Sequence, residues 1–272
     1  MKLAFTTLGC PDWDLEKIIA VAKEAGFDGV DFRGYQGEMA VFKLPQFSAR
    51  ASETAQRFAD AGLEVPCFSS SARLMPKEQG SVEAMVEEVR AYAALCAVFR
   101  AKFIRVFGGA IGELGWDAAI EKAAQVLQRM GDSAAEHGVK VLVETHDAWV
   151  DSNHVKALME ATDSDAVGVL WDIHHPWRKS GETPEQTWSL IGPWILNTHW
   201  KDAMAGETGA LCAIGAGEMP LADFYKVLDA GGYDGYYTLE WEKKWHPELD
   251  DADVAFPAYV EFMNKLEEEH AA

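Results

Sequence analysis

Lys140-Val-Leu-Val-Glu-Thr-His146 runs from apolar, strand-forming residues into a polar tip, and three later segments repeat the pattern. They are Val167-Gly-Val-Leu-Trp-Asp-Ile-His174, Ile195-Leu-Asn-Thr-His-Trp-Lys201 and Tyr236-Tyr-Thr-Leu-Glu-Trp-Glu242. Short apolar runs of this kind, with longer helical stretches between them, describe strands buried on both faces. Side chains alternate along a strand. Leu142, Glu144 and His146 therefore share one face, as do Leu170, Asp172 and His174, then Asn197, His199 and Lys201, then Thr238, Glu240 and Glu242. If one polar tip points inward, the others can follow it with no conflict of register.

Working outward, the same alternation covers the chain. Strands are expected at 2–6, 29–33, 64–68 and 103–107. Helices are expected from about Asp14 to Gly26, Ser48 to Ala61, Ser81 to Phe99 and Trp116 to His137, several of them closed by glycine. Shorter helices near 153–161, 184–191 and 221–230 separate the later strands, and a last one near 254–269 completes the series. Ala203–Gly217, rich in Gly and Ala, reads as a loop. Strand–helix alternation implies parallel strands joined by crossover helices. Eight such units in 272 residues match a (β/α)8 TIM barrel of about 250 residues, with residues 1–272 as a single domain.

Composition narrows the function classes. The net charge of −20 and the absence of a basic cluster beyond Lys243-Lys244 argue against a nucleic-acid partner. No apolar run reaches the ~20 residues a membrane span needs, and the start Met1-Lys-Leu-Ala-Phe-Thr-Thr turns polar too early for a signal peptide. Cys10, Cys67, Cys96 and Cys212 contain no CxxC pair and read as reduced thiols of a cytoplasmic protein.

In a parallel barrel the strand tips converge on the catalytic face. Glu144, Asp172, His199 and Glu240 would offer three carboxylates and one imidazole, a donor set for one divalent ion such as Mn, Mg, Co or Zn. A single acidic strand end is usually a cap or a loop ligand; four on consecutive strands are a stronger pattern. Such an ion would polarise a substrate carbonyl and stabilise the enediolate left when the neighbouring proton is removed. Glu144 and Glu240 are the expected acid/base pair. His146, His174 or His175, Lys201 and Arg33 are candidate substrate contacts. Each has a structural alternative: pairing with Asp172 or Asp202 for Lys201, an ion pair for Arg33. Trp13 and Trp116 follow strands 1 and 4 and could stack on a sugar, although a loop Trp is more often packing.

The sequence resembles the xylose isomerase-like TIM-barrel family of sugar phosphate isomerases and epimerases nearly end to end. The resemblance is carried by Thr6-Thr-Leu-Gly-Cys-Pro-Asp-Trp13, Ala25-Gly-Phe-Asp-Gly-Val-Asp-Phe-Arg33, Val143-Glu-Thr-His146, Trp171-Asp-Ile-His-His175, Thr198-His-Trp-Lys-Asp202, Gly215-Ala-Gly-Glu-Met-Pro220 and Gly232-Tyr-Asp-Gly-Tyr-Tyr-Thr-Leu-Glu240. It implies metal binding by Glu144, Asp172, His199 and Glu240, acid/base roles for the two Glu, and substrate contact by His175 rather than His174. The family's ketose 3-epimerases carry an Arg in the loop after the strand 7 His; Ala203–Ala213 has none. The His-x-Lys-Asp pattern is instead similar to inosose-processing members. A homo-oligomer fits the family, but no apolar stripe specifies an interface.

The leading expectation is a metal-dependent isomerase or epimerase acting on a ketose, inosose or keto-sugar. A lyase or dehydratase using the same enolate is the close alternative. A non-catalytic sugar-binding barrel is a third reading. DNA repair endonucleases share the fold, but their further His ligands have no counterpart: no His precedes His137 or lies between His199 and His246.

Overall fold

The computed structural model describes residues 1–76, 81–204 and 209–270. Seven strands, β1 (Lys2–Thr6), β2 (Gly29–Asp31), β3 (Cys67–Met75), β4 (Phe103–Gly109), β5 (Lys140–Glu144), β6 (Val167–Asp172) and β7 (Ile195–Trp200), and a last barrel strand, Tyr236–Leu239, form one parallel sheet. The order is β2, β1, the last strand, β7, β6, β5, β4, β3. Parallel bridges Gly29↔Glu64 and Phe32↔Phe68 join its two ends, and Val30 N–H donates to Glu64 O at 3.0 Å across the seam. The expected eight-stranded (β/α)8 TIM barrel is therefore the fold.

Among the described residues, eight α-helices cover the ring: α1 (Leu15–Ala25), α2 (Ala51–Asp60), α3 (Ser81–Phe99), α4 (Trp116–Ala135), α5 (Ser152–Thr162), α6 (Pro184–Ile191), α7 (Leu221–Ala230) and α8 (Ala252–His270). Local chemistry sets their ends. Asp14 caps α1 by accepting from Lys17 N–H at 2.8 Å, and Gly26 stops it at φ 92°, a conformation favoured by glycine. Thr183 and Gln186 close a reciprocal capping box on α6, with Pro184 at its first turn.

The apolar core lies between helices and sheet. Phe5, Phe27, Phe256 and Tyr259 pack on one side, and Phe32, Phe47, Phe58, Phe68 and Phe99 on another. Val141, Val143, Val169 and Trp171 join this layer, whereas their strand neighbours Leu142 and Leu170 do not. The alternation read from the sequence thus places Leu142, Glu144, Leu170 and Asp172 inside the barrel.

Three expectations change. Strand 3, expected at 64–68, runs Cys67–Met75 with Glu64 joined only by a bridge; Pro66 has no N–H to continue the ladder. The stretch 203–217 carries a short antiparallel pair, Asp202–Ala203 with Leu211–Cys212, and residues 205–208 of it lie outside the described residues. Strand 4, expected at 103–107, extends through Gly108 and Gly109. A Cβ on Gly108 would sit 2.0 Å from the Trp149 ring, so only glycine lets that indole close over the strand.

Candidate metal centre

Glu144 ends β5, Asp172 ends β6, His199 lies one residue before the end of β7, and Glu240 follows the last strand. Glu240 N–H donates to Trp200 O at 2.8 Å, which continues the ladder and fixes that tip beside β7. In-register pairing sets Asp172 against His199 and Thr238 against His199. One ligand atom from each of the four residues lies within 4.8 Å of every other, and all four side chains are buried.

Within the quartet, His199 Nδ1 lies 3.1 Å from Glu144 Oε1 and 3.3 Å from Glu240 Oε1. Its Nε2 faces Asp31 Oδ2 at 3.3 Å, and Ser69 Oγ donates to that oxygen at 3.0 Å. Asp31 was not singled out in the sequence. It sits mid-motif on β2, where a buried acid after Gly-Val carries no pattern of its own.

Cations frame the carboxylates. Arg105 Nε lies 3.4 Å from Glu144 Oε2, and that oxygen accepts no hydrogen bond among the described residues. Lys201 Nζ bonds Glu240, lies 2.8 Å from Asp172 Oδ2 and 2.7 Å from Glu242 Oε1. Of the two alternatives left open for Lys201, the structure supplies the pairing with Asp172.

Burial is the largest influence on the Glu144 and Glu240 carboxyls and pushes both upward, but Arg105 with His199 for Glu144, and Lys201 with His199 and Arg105 for Glu240, together hold both below the ordinary range. Burial alone would lower the His199 pKa; Glu240, with Asp31 and Glu144, raises it well above the usual imidazole value. Lys201 is likewise raised, its burial outweighed by Asp172, Glu240 and Glu242.

The donor set fits a hard or borderline divalent ion. Among the described residues, Asp31, Glu144, Asp172, Glu240 and Glu242 ion-pair only with Arg105 and Lys201 as permanent cations, so the centre is short of positive charge even when His199 is protonated. With Nε2–H donated to Asp31, the Nδ1 lone pair would face Glu144 and Glu240, the orientation of a ligating imidazole held by an outer carboxylate.

The remaining candidates divide. His175 Nε2 lies 3.7 Å from Asp172 Oδ2, and His174 N–H donates to Asp172 Oδ1 at 2.9 Å. Because β6 stops at Asp172, both imidazoles flank the centre, and none of their ring nitrogens has a hydrogen bond among the described residues. Burial lowers both, His174 to about 4. His146 pairs with Asp147 at 2.9 Å, with its ring against His175 and Phe107. Arg33 is buried and bonds Ser71 Oγ at 2.9 Å. Trp13 packs edge-on against Phe256 with Lys17 over its face, and Trp116 lies flat on His154 at 3.5 Å with its edge to Trp149. Among the described residues, no ring contact or ion pair joins either indole to the quartet.

Residues 19–265 match the Xylose isomerase-like TIM barrel family. The chain belongs to that family. Among curated relatives, this xylose isomerase-like barrel is similar to the inosose dehydratase of Geobacillus thermodenitrificans, 27% identical over 146 residues, which cover 47% of each protein. It thus spans about half the length of the curated relatives it matches. Among solved structures it superposes on the probable 3-DHS dehydratase AsbF of Bacillus anthracis with a TM-score of 0.82 at 19% identity, covering 97% of this chain and 99% of that one. An L-ribulose 3-epimerase gives 0.80 at 19% identity, covering 99% and 95%. These superpositions show the shared fold. Among the described residues, no helix is long and apolar enough to cross a membrane.

Proposed function

We propose that this chain is a divalent-metal-dependent enzyme that removes the proton next to the carbonyl of a ketose, inosose or keto-sugar. One observation carries the reading: two buried glutamates, each beside a cation, converge with Asp172 and His199 at the strand tips. An ion held by Glu144, Asp172, His199 and Glu240 would supply the positive charge that a developing enediolate oxygen needs.

The chain's own groups supply the rest. Glu240 and Glu144 stand at the two ends of the four-strand arc β5, β6, β7 and last strand, so a carbon between them has a carboxylate on either side. One takes the proton from carbon, and the other is placed to return it to the opposite face, which gives isomerisation or epimerisation. Lys201, His199 and Arg105 together favour the ionised form of Glu240, and Arg105 and His199 do so for Glu144. His175 and His146 stand beside Asp172 as neighbours for substrate hydroxyls, and the buried, barrel-lined position excludes bulk water.

The second reading, dehydration, is favoured by the similarity to inosose dehydratases. It shares the first step; the electron pair left on carbon then expels the neighbouring hydroxyl, which leaves as water after taking a proton.

Incubating the manganese-loaded protein in D₂O with ketoses and inososes tests both. Deuterium beside the carbonyl of a product of unchanged composition supports the first outcome, and a product lighter by one water supports the second. Glu240→Gln should abolish either. Exchange that continues undiminished in Glu240→Gln would remove Glu240 from the reaction.

A further inference from the structure

Three guanidinium groups meet around one ring beside the quartet. Arg105 Cζ lies 3.9 Å from the centre of the Phe107 ring, Arg73 Cζ 5.2 Å and Arg33 Cζ 5.6 Å. They come from three separate strand regions: Arg105 from β4, Arg73 from β3, and Arg33 from the segment just after β2. On β3 the register against β4 shifts between Ser69 and Arg73, which sets Arg73 opposite Phe107. Irregularities of this type re-aim side chains near sites.

The three are not equally occupied. Arg105 donates to Ser70 O at 3.1 Å and faces Glu144. Arg73 is exposed and donates to Ser71 O at 3.3 Å. Arg33 is only 9% exposed, and its side chain donates to Ser71 Oγ; no carboxylate among the described residues lies within ion-pairing distance. A guanidinium carries five N–H donors in a planar fork, so most of this one is unspent. A buried cation with no carboxylate at ion-pairing distance is costly and is suited to receive an anionic ligand group. Burial, reinforced by Arg105 and only partly offset by Tyr92, Glu144 and Glu240, lowers its pKa to about 10.

We propose that the substrate of this centre carries a carboxylate, gripped by Arg33 with Arg73 at the rim, while its carbonyl end reaches the quartet. The inference rests on the function proposed above and narrows its substrate class to keto-sugar acids and related carboxylated polyhydroxy ketones. A carboxylate matches the fork of a single buried guanidinium bidentately. A phosphate dianion would bring a second charge to a chain of net charge −20 with one uncompensated buried cation to receive it.

Calorimetric titration of the manganese-loaded protein with 5-keto-D-gluconate, D-fructose and D-fructose 6-phosphate tests this. The keto acid should bind at least about tenfold tighter than fructose, the scale of a charge-assisted hydrogen bond. Arg33→Gln should erase that preference by weakening keto-acid binding at least about tenfold, with metal stoichiometry as in the wild type. Arg73→Gln, at an exposed position, should reduce it by a few-fold and serves if Arg33→Gln folds poorly. A keto acid bound no better than fructose, a preference that survives in Arg33→Gln, or tightest binding of the phosphate would overturn the proposal. Repeating the titration on metal-free protein separates the two claims. An Arg33-dependent preference seen there stands even if manganese fails to bind, whereas bound manganese without the preference sinks only the carboxylate.

Discussion

Asp31 on β2 reaches across the barrel interior to His199 on β7, Oδ2 to Nε2 at 3.3 Å, and is itself held by Ser69 Oγ. It fixes the ring so that Nδ1 faces Glu144 and Glu240. Asp31→Asn keeps the shape but weakens this hold and permits the other tautomer. Manganese affinity should fall by about tenfold to a hundredfold with the far-UV circular dichroism unchanged. An unaltered affinity in calorimetric titration would make Asp31 a bystander.

His199 also sets a proton balance. Its raised pKa means that the metal-free protein carries an imidazolium at neutral pH, while a ligating imidazole must be neutral. Metal binding near pH 7 should therefore release about one proton, and affinity should increase with pH until the raised pKa is passed. Titrations in two buffers of different ionisation enthalpy read this directly. For folding the sign is opposite: the imidazolium's contribution to metal-free stability is complete below about pH 6.5 and is lost as pH rises through the folded pKa. Equal apparent enthalpies in the two buffers would mean that His199 is already neutral.

Lys201 is the internal counter-ion of the metal-free centre. Lys201→Met leaves Asp172, Glu240 and Glu242 facing one another in a buried space, and should cost about 3–5 kcal/mol of metal-free stability, the scale for breaking a buried ion pair. Saturating manganese should recover part of the loss. Calorimetric melting with and without metal checks it; a variant as stable as the wild type without metal would contradict the assigned role.

Trp116 should behave as packing. Its ring is flat on His154 and edge-on to Trp149, away from the quartet. Trp116→Ala should lower the Tm, with a cost of up to about 3–5 kcal/mol if the site cannot collapse, and leave substrate KM nearly unchanged. A KM effect without a change in Tm would restore the sugar-stacking role expected from the sequence.

The tips of β5 and β6 were legible because each is an apolar run ended by one acidic residue, and alternation carries that residue inward from Leu142 to Glu144 and from Leu170 to Asp172. The barrel followed from the repetition of strand and helix. Other features depend on closure in three dimensions. Asp31 acquires meaning only when β2 and β7 face each other across the interior. The Phe107 collar needs the irregularity of β3, which lengthens that strand past the stop expected at Phe68. Arg33, Arg73 and Arg105 are about thirty to forty residues apart in sequence, so no window along the chain shows them as a basic patch. Trp13 lies on the segment after β1, whereas Trp116 opens α4 rather than a loop, and neighbouring side chains occupy the faces of both indoles.

Elemental analysis of purified protein after manganese loading, beside a Glu144→Ala/Asp172→Ala double variant, tests the central claim most directly. About one tightly held metal per chain is expected in the wild type and none in the folded variant. A folded wild type that retains no metal, or a variant that retains as much, would contradict it.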